Sequence, residues 1–152
     1  MGYTENSVVI LRDFDTVFEL TNTIELWPQL FTEYEKAEVL ERHGNEILFR
    51  LTTYPEGDQP SHSWVSSRQI DKEKRQAIAE RLEPTFPFQY MHIRWTYEPL
   101  PGDGGVIMTW IQEFEPHPQF PKTSEQMESF LNRNTRTQMR EFKRKIEQDL
   151  IH

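Results

Sequence analysis

The chain has 152 residues, 36% of them apolar and 28% charged, with a net charge of −8 and no cysteine. That length suits one domain, expected over residues 1–152, with one sizeable core. The composition excludes disulfides and thiolate metal sites, argues against general nucleic-acid binding, and leaves no apolar run long enough to span a membrane.

The N-terminus "MGYTENSVVIL" lacks a basic region followed by an apolar segment and a small-residue cleavage site, so no signal peptide is expected and a cytoplasmic setting is the default. It begins Met-Gly, but Asn6 stands where a myristoylation signal needs Ser or Thr. Residues 6–12, "NSVVILR", read as a first strand. In "DFDTVFELTNTIELWPQL", Asp13 or Asp15 is placed to cap a short helix carrying Val17, Phe18 and Leu20. A second short helix is expected to end near Trp27, because Pro28 disfavours helix at the residue before it. Strands are predicted at 37–42, 46–54, 63–70, 75–83, 90–100 and 105–116, divided by "HGN", "PEGDQP", "DKEK", "PTFPFQ" and "PGDGG". Turns this short predict an antiparallel meander. From about Ser124 to Ile151 the pattern is helical, with Met127, Leu131, Phe142 and Ile146 in one stripe. The order predicts an α+β fold, with a curved antiparallel sheet of about seven strands wrapped around a long C-terminal helix. Such a sheet does not close easily onto one helix without leaving a cavity.

Side chains alternate across a strand, so "HSWVSSRQI" puts Trp64, Ser66, Arg68 and Ile70 on one face. Trp and Ile seek burial, yet an arginine sits between them. In "MHIRWTY" the apolar face is Met91, Ile93, Trp95 and Tyr97, which turns His92 outward. In "VIMTWIQEF" it is Val106, Met108, Trp110, Gln112 and Phe114. A wheel at about 100° per residue adds Asn134 and Gln138 to the stripe of the long helix. Ser66, Arg68, Gln112, Asn134 and Gln138 are thus set among Trp64, Met91, Trp95, Met108 and Trp110. Burying an unpartnered cation costs several kcal/mol, and a water-accessible pocket with aromatic walls resolves the conflict. The alternatives are that Arg68 pairs with a buried carboxylate or that its stem snorkels to the sheet edge.

Several stretches resemble the monodomain polyketide aromatase/cyclases of the tetracenomycin and spore-pigment type. They are "TNTIELWPQLFTEYEKAEVL", "FRLTTYP", "SWVSSR", "PFQYMHIRWTY", "TWIQEF" and "LNRNTRTQM", in family order over nearly the whole chain. The resemblance implies the helix-grip fold of the Bet v 1 and START-like superfamily. It implies an enzyme that receives a poly-β-ketone on an acyl carrier protein of a minimal polyketide synthase. The enzyme folds this chain, directs the first-ring aldol closure and lets dehydration aromatise the ring, with closure between C9 and C14. No metal or organic cofactor is implied, and we expect a monomer without nucleic-acid or membrane partners. By position, Arg68 matches the family's arginine at the cavity floor and Tyr34 a cavity tyrosine. Trp27, Phe31, Trp64, Ser66, Phe88, Met91 and Trp95 match pocket-lining positions. His62 stands where the tetracenomycin-type pattern has tryptophan, and His92 replaces a frequent asparagine.

In that chemistry Arg68 would anchor a ketone or enolate oxygen through its forked donors and stabilise developing negative charge. It is a poor general base. Tyr34 would protonate the forming alkoxide, although packing alone explains it equally well. Ordered water is a candidate base. His43, His62, His92, His117 and His152 lie far apart without metal-ligand spacing, and the chain lacks a nucleophile elbow, a phosphate-cradling loop and a dinucleotide fingerprint. A competing reading is a non-catalytic carrier of lipid or quinone on the same fold, which would not need Arg68, Tyr34 and Asn134 to converge. Finally, Arg133, Arg136, Arg140, Lys143 and Arg144 form a basic helix face that is either a docking site for an acidic carrier protein or a solvated face suited to the helix macrodipole.

Overall fold

The computed structural model describes residues 1–152. Seven strands form one antiparallel sheet: β1 (Gly2–Ile10), β2 (Tyr34–His43), β3 (Glu46–Thr53), β4 (Ser63–Asp71), β5 (Gln76–Glu83), β6 (Phe88–Pro99) and β7 (Val106–Pro116). Their order is β1-β7-β6-β5-β4-β3-β2, a meander from β2 to β7 with β1 returning beside β7. Two short helices, α1 (Phe14–Asn22) and α2 (Trp27–Leu30), link β1 to β2, and the long helix α3 (Ser124–Glu147) lies against β1 and β7. This is the helix-grip arrangement expected.

Local chemistry accounts for the element ends. Asp13 caps α1 by accepting from the Thr16 backbone N–H at 3.1 Å and its hydroxyl at 2.9 Å. Thr123 and Gln126 bond each other's backbone N–H groups in a capping box that starts α3. Three expectations are corrected. The first strand starts at Gly2, not Asn6: Thr4 and Asn6 face inward, so its buried face is polar and gives no apolar signal. Gly2 has no alternative there, since a Cβ would fall 2.1 Å from the Phe114 ring. The second short helical segment does not stop at Trp27: a 3-10 turn at Ile24–Leu26 runs directly into α2, because Pro28 occupies a first-turn position whose N–H needs no partner. The long helix stops at Glu147, short of Ile151.

The core gathers Phe18, Ile24, Trp95, Tyr97, Met108, Phe142 and Ile146 between the sheet and the helices. Part of the basic face of α3 is engaged in the fold. Arg136 Nε donates to Asn6 Oδ1 at 3.0 Å and Lys143 Nζ to the Val9 carbonyl at 2.7 Å, so both clamp α3 to β1. Arg144 pairs with Glu141 one turn away, and Arg140 donates to Thr137. No helix is long and apolar enough to cross a membrane.

Candidate functional site

Strand register sets the floor of the site. Arg68 on β4 lies opposite Ala79 on β5, and Trp95 on β6 lies opposite Ala77. Two small side chains on β5 therefore leave room for a guanidinium and an indole. Arg68 is 3% exposed. Its Cζ sits 4.2 Å from the ring centroid of Trp95 and 5.2 Å from that of Trp27, a cation held over aromatic faces.

Its hydrogen-bond partner is an amide. Nε and Nη2 donate to Asn22 Oδ1 at 3.1 and 2.8 Å. Asn22, at the end of α1, donates its Nδ2 to the Phe18 carbonyl at 2.9 Å and to the Tyr97 hydroxyl at 3.0 Å. The Tyr97 and Thr21 hydroxyls are 2.8 Å apart. No carboxylate pairs with Arg68, and the residue lies on an interior strand, so neither the ion-pair nor the edge-snorkelling alternative applies. Burial pushes its pKa down to about 10, which leaves it charged at neutral pH with no compensating anion.

Above this floor is a cavity of about 250 Å³ lined by Trp27, Phe31, Tyr34, Trp64, Ser66, Arg68, Phe88, Met91, Trp95, Trp110, Gln112 and Asn134, with Phe49, Leu51 and Ile93 among the apolar remainder. The sequence placed twelve of these on the site, and the structure brings those twelve to one cavity. Two others are not there. Met108 is fully buried opposite Tyr97 in the main core, because strand parity assigns a face but not a depth along the strand. Gln138 is also buried, but spends its amide on a turn: Oε1 accepts from the Thr32 N–H at 2.9 Å and Nε2 donates to the Thr32 hydroxyl at 2.8 Å. That bond fixes the segment leading into Tyr34.

Tyr34 is buried among Phe31, Trp27 and Trp64, with ring centroids 4.7, 6.2 and 6.0 Å away. Burial and the neighbouring Glu33 carboxylate hold its hydroxyl well above the ordinary phenol pKa, so it stays protonated and able to donate. Gln112 Oε1 accepts from Thr4 at 2.9 Å and Thr135 at 3.1 Å.

Sequence reasoning missed two charged lining residues and the Asn22–Tyr97 support of Arg68. Glu33 lines the cavity and accepts from Asn134 Nδ2 at 3.2 Å, and burial raises its carboxyl pKa. Arg81 lines it too, paired in register with Ser66. Its guanidinium is 4.2 Å from the Trp64 ring centroid and donates to the Pro84 and Phe86 carbonyls at 2.9 and 3.0 Å. The inward face of β5 carried the signal for Arg81, since Ala77 and Ala79 share its parity. Glu33 and Asn22 sit at element ends, where no periodicity marks a face.

The cavity opens beside a depression of about 690 Å³ that shares Pro87, Phe88, Phe130 and Leu131 with it and carries Lys122 and Arg133. Phe130 is 57% exposed, so the mouth is apolar with cations at its rim. A separate groove of about 580 Å³ runs over the outer face of the sheet past Glu41, Glu46, Glu80 and His92, and is open surface.

A family model described as polyketide cyclase / dehydrase and lipid transport matches residues 11–143. The chain belongs to this family. Within the polyketide cyclase family it is 42% identical over 147 residues to a protein of Streptomyces cyaneus named as a candidate polyketide cyclase, covering 97% of this chain and 95% of that one. Its fold is that of the Zhui aromatase/cyclase from Streptomyces sp. R1128, with a TM-score of 0.85, 19% identity and coverage of 97% and 94% of the two chains. A START superfamily protein from Mycobacterium smegmatis superposes with a TM-score of 0.80 at 14% identity, over 97% and 99% of the two chains.

Proposed function

We propose that this protein is an aromatase/cyclase that directs first-ring aldol closure, dehydration and aromatisation of a poly-β-ketone carried on an acyl carrier protein, with closure between C9 and C14. The observation that carries this reading is the uncompensated guanidinium of Arg68 on the floor of an aromatic cavity. Poly-β-ketones are flexible, reactive and rich in carbonyl oxygens. Aromatic walls restrict the chain to few folded conformers, which lowers the entropic barrier to one closure. A fixed cation in a water-poor site stabilises the oxyanion that forms, without reorganising at the moment of reaction. Tyr34, kept protonated, donates to the alkoxide and later to the departing hydroxyl. Closure and loss of water are redox-neutral.

The cavity size supports a division of labour. A volume of about 250 Å³ is small for a ligand pocket, against the usual range of about 300–1,000 Å³. It suits the segment that closes first, while the rest of the chain lies in the adjoining mouth. A carrier of lipid or quinone would need the apolar walls alone. The convergence of Arg68, Tyr34 and Asn134 on one cavity favours the enzyme. The test is product analysis after reconstitution with a minimal synthase fed ¹³C-labelled acetate. A first ring whose labelling joins C9 to C14 is expected; closure elsewhere contradicts the regiochemistry, and an unchanged shunt profile contradicts the cyclase reading.

A further inference from the structure

We infer that Glu33 is the general base of the ring closure: it is the one carboxylate lining the cavity, Asn134 of α3 holds it in place, and it stands beside Tyr34 in a cavity that Arg68 and Arg81 also line. This inference rests on the cyclase reading above. The other candidates fail on chemistry. No histidine, aspartate or lysine lines the cavity. Arg68 and Arg81 keep their charge at neutral pH, and Tyr34 keeps its proton. Gln112, Asn134 and Ser66 are neutral and weakly basic.

The segment is fixed from both sides. Gln138 clamps Thr32 from α3, and the Tyr54 N–H donates to the Glu33 carbonyl at 3.1 Å. The groups acting on the carboxylate are Asn134 from α3, Tyr34 from β2 and Glu56 from the β3–β4 loop, while Arg68 and Arg81 line other parts of the same cavity. Burial outweighs the hydrogen bonds from Asn134 and Tyr34, which favour the carboxylate, and so strengthens Glu33 as a base.

The proton balance closes on these residues. Glu33 takes a proton from a methylene flanked by two carbonyls, and the C–H electron pair becomes an enolate whose oxygen faces Arg68. The enolate carbon bonds to the ketone carbon. The ketone π pair moves to its oxygen, which takes the Tyr34 proton. Glu33 then returns its proton to the adjacent tyrosinate. In dehydration Glu33 removes the next α proton, the C–H pair forms the double bond, the C–O bond breaks and Tyr34 protonates the departing hydroxide to water, after which Glu33 again passes its proton to the tyrosinate and both residues regain their starting states.

The experiment compares wild type, Glu33→Gln and Glu33→Asp in single-turnover cyclisation of a synthetic poly-β-ketone thioester surrogate between pH 5 and 9, with a thermal melt on each. Binding of a flat bicyclic phenol is read by quenching of Trp27, Trp64, Trp95 and Trp110, which all line the cavity. Glu33→Gln keeps the acceptor for Asn134, so its affinity for the phenol is expected within about twofold of wild type while the rate falls about 10²–10⁴-fold. Wild type should lose rate as the pH falls through a value above the ordinary glutamate range. Glu33→Asp should keep that limb at a lower rate, and the residual rate of Glu33→Gln should lack it. A wild-type rate from Glu33→Gln, or equal losses of rate and affinity, overturns the base assignment and leaves the cyclase reading intact. A wild-type protein that does not exceed the spontaneous rate overturns both.

Discussion

Asn22 explains how Arg68 can be buried and still carry an unspent charge. One end of its amide must donate to the Phe18 carbonyl, and the other accepts from the guanidinium. A carboxylate could do only the second. The arginine is thereby positioned without being neutralised. Removing the amide in Asn22→Ala leaves the buried guanidinium donors of Arg68 unpaired, which is expected to cost about 1–3 kcal/mol, read as a lower melting temperature, together with slower cyclisation although Asn22 does not line the cavity. A guanidinium packed against both Trp27 and Trp95 contributes contacts, so Arg68→Ala should soften the fold as well as slow the reaction. Arg68→Lys keeps the charge but not the planar fork and should rescue only partly. Glu33 yields an opposite sign. Its carboxyl pKa is raised in the fold, so its contribution to stability is greatest below the unfolded value and is lost as pH rises through the folded one. Glu33→Gln should therefore melt higher than wild type at neutral pH, by on the order of 2–4 °C, and the gap should close on acidification.

Among the elements, strands were more legible than ends. The β4 face of Trp64, Ser66 and Arg68 could be read because period-two alternation survives a polar insertion when large apolar residues flank it. Ala77 and Ala79 show the complementary half, since the space for Arg68 and Trp95 is written on the neighbouring strand and only pairing reveals it. What stayed hidden lies where chains turn. Asn22 closes a nine-residue helix, and Glu33 precedes a strand that begins with a register shift, so neither belongs to a repeating pattern. Gln138 was placed on the correct stripe, but a wheel does not say what lies opposite. Its partner is the Thr32 turn, which carries Glu33 and Tyr34 to the cavity. Gln138→Leu should cost about 1–2 kcal/mol through the unpaired Thr32 N–H and lower the cyclisation rate without touching the substrate. A variant with wild-type rate and melt would show that this clamp does nothing.

On the scale of the molecule, charge and shape separate into two regions. The protein carries −8 overall, yet the cavity mouth presents Lys122 and Arg133 beside exposed Phe130. Of the five cations on the α3 face, Arg136 and Lys143 hold the helix to β1 and only Arg133 lines the mouth. If an acidic carrier protein delivers the chain, Lys122→Glu with Arg133→Glu should weaken its binding several-fold at low salt and little at high salt, while Arg140→Glu should not. Equal affinities for all three proteins at low salt would remove the mouth as the docking site. The central claim is that a cation among aromatic walls chooses which ring forms. The most direct test is the chromatographic product profile of a minimal synthase run alone, with the wild-type protein, and with folded Arg68→Ala and Arg68→Lys. Wild type should yield one dominant first-ring product, Arg68→Ala should cut the rate of its formation by about 10²–10³ in favour of spontaneously cyclised shunts, and Arg68→Lys should fall between. The same dominant product at wild-type yield from folded Arg68→Ala would contradict the account.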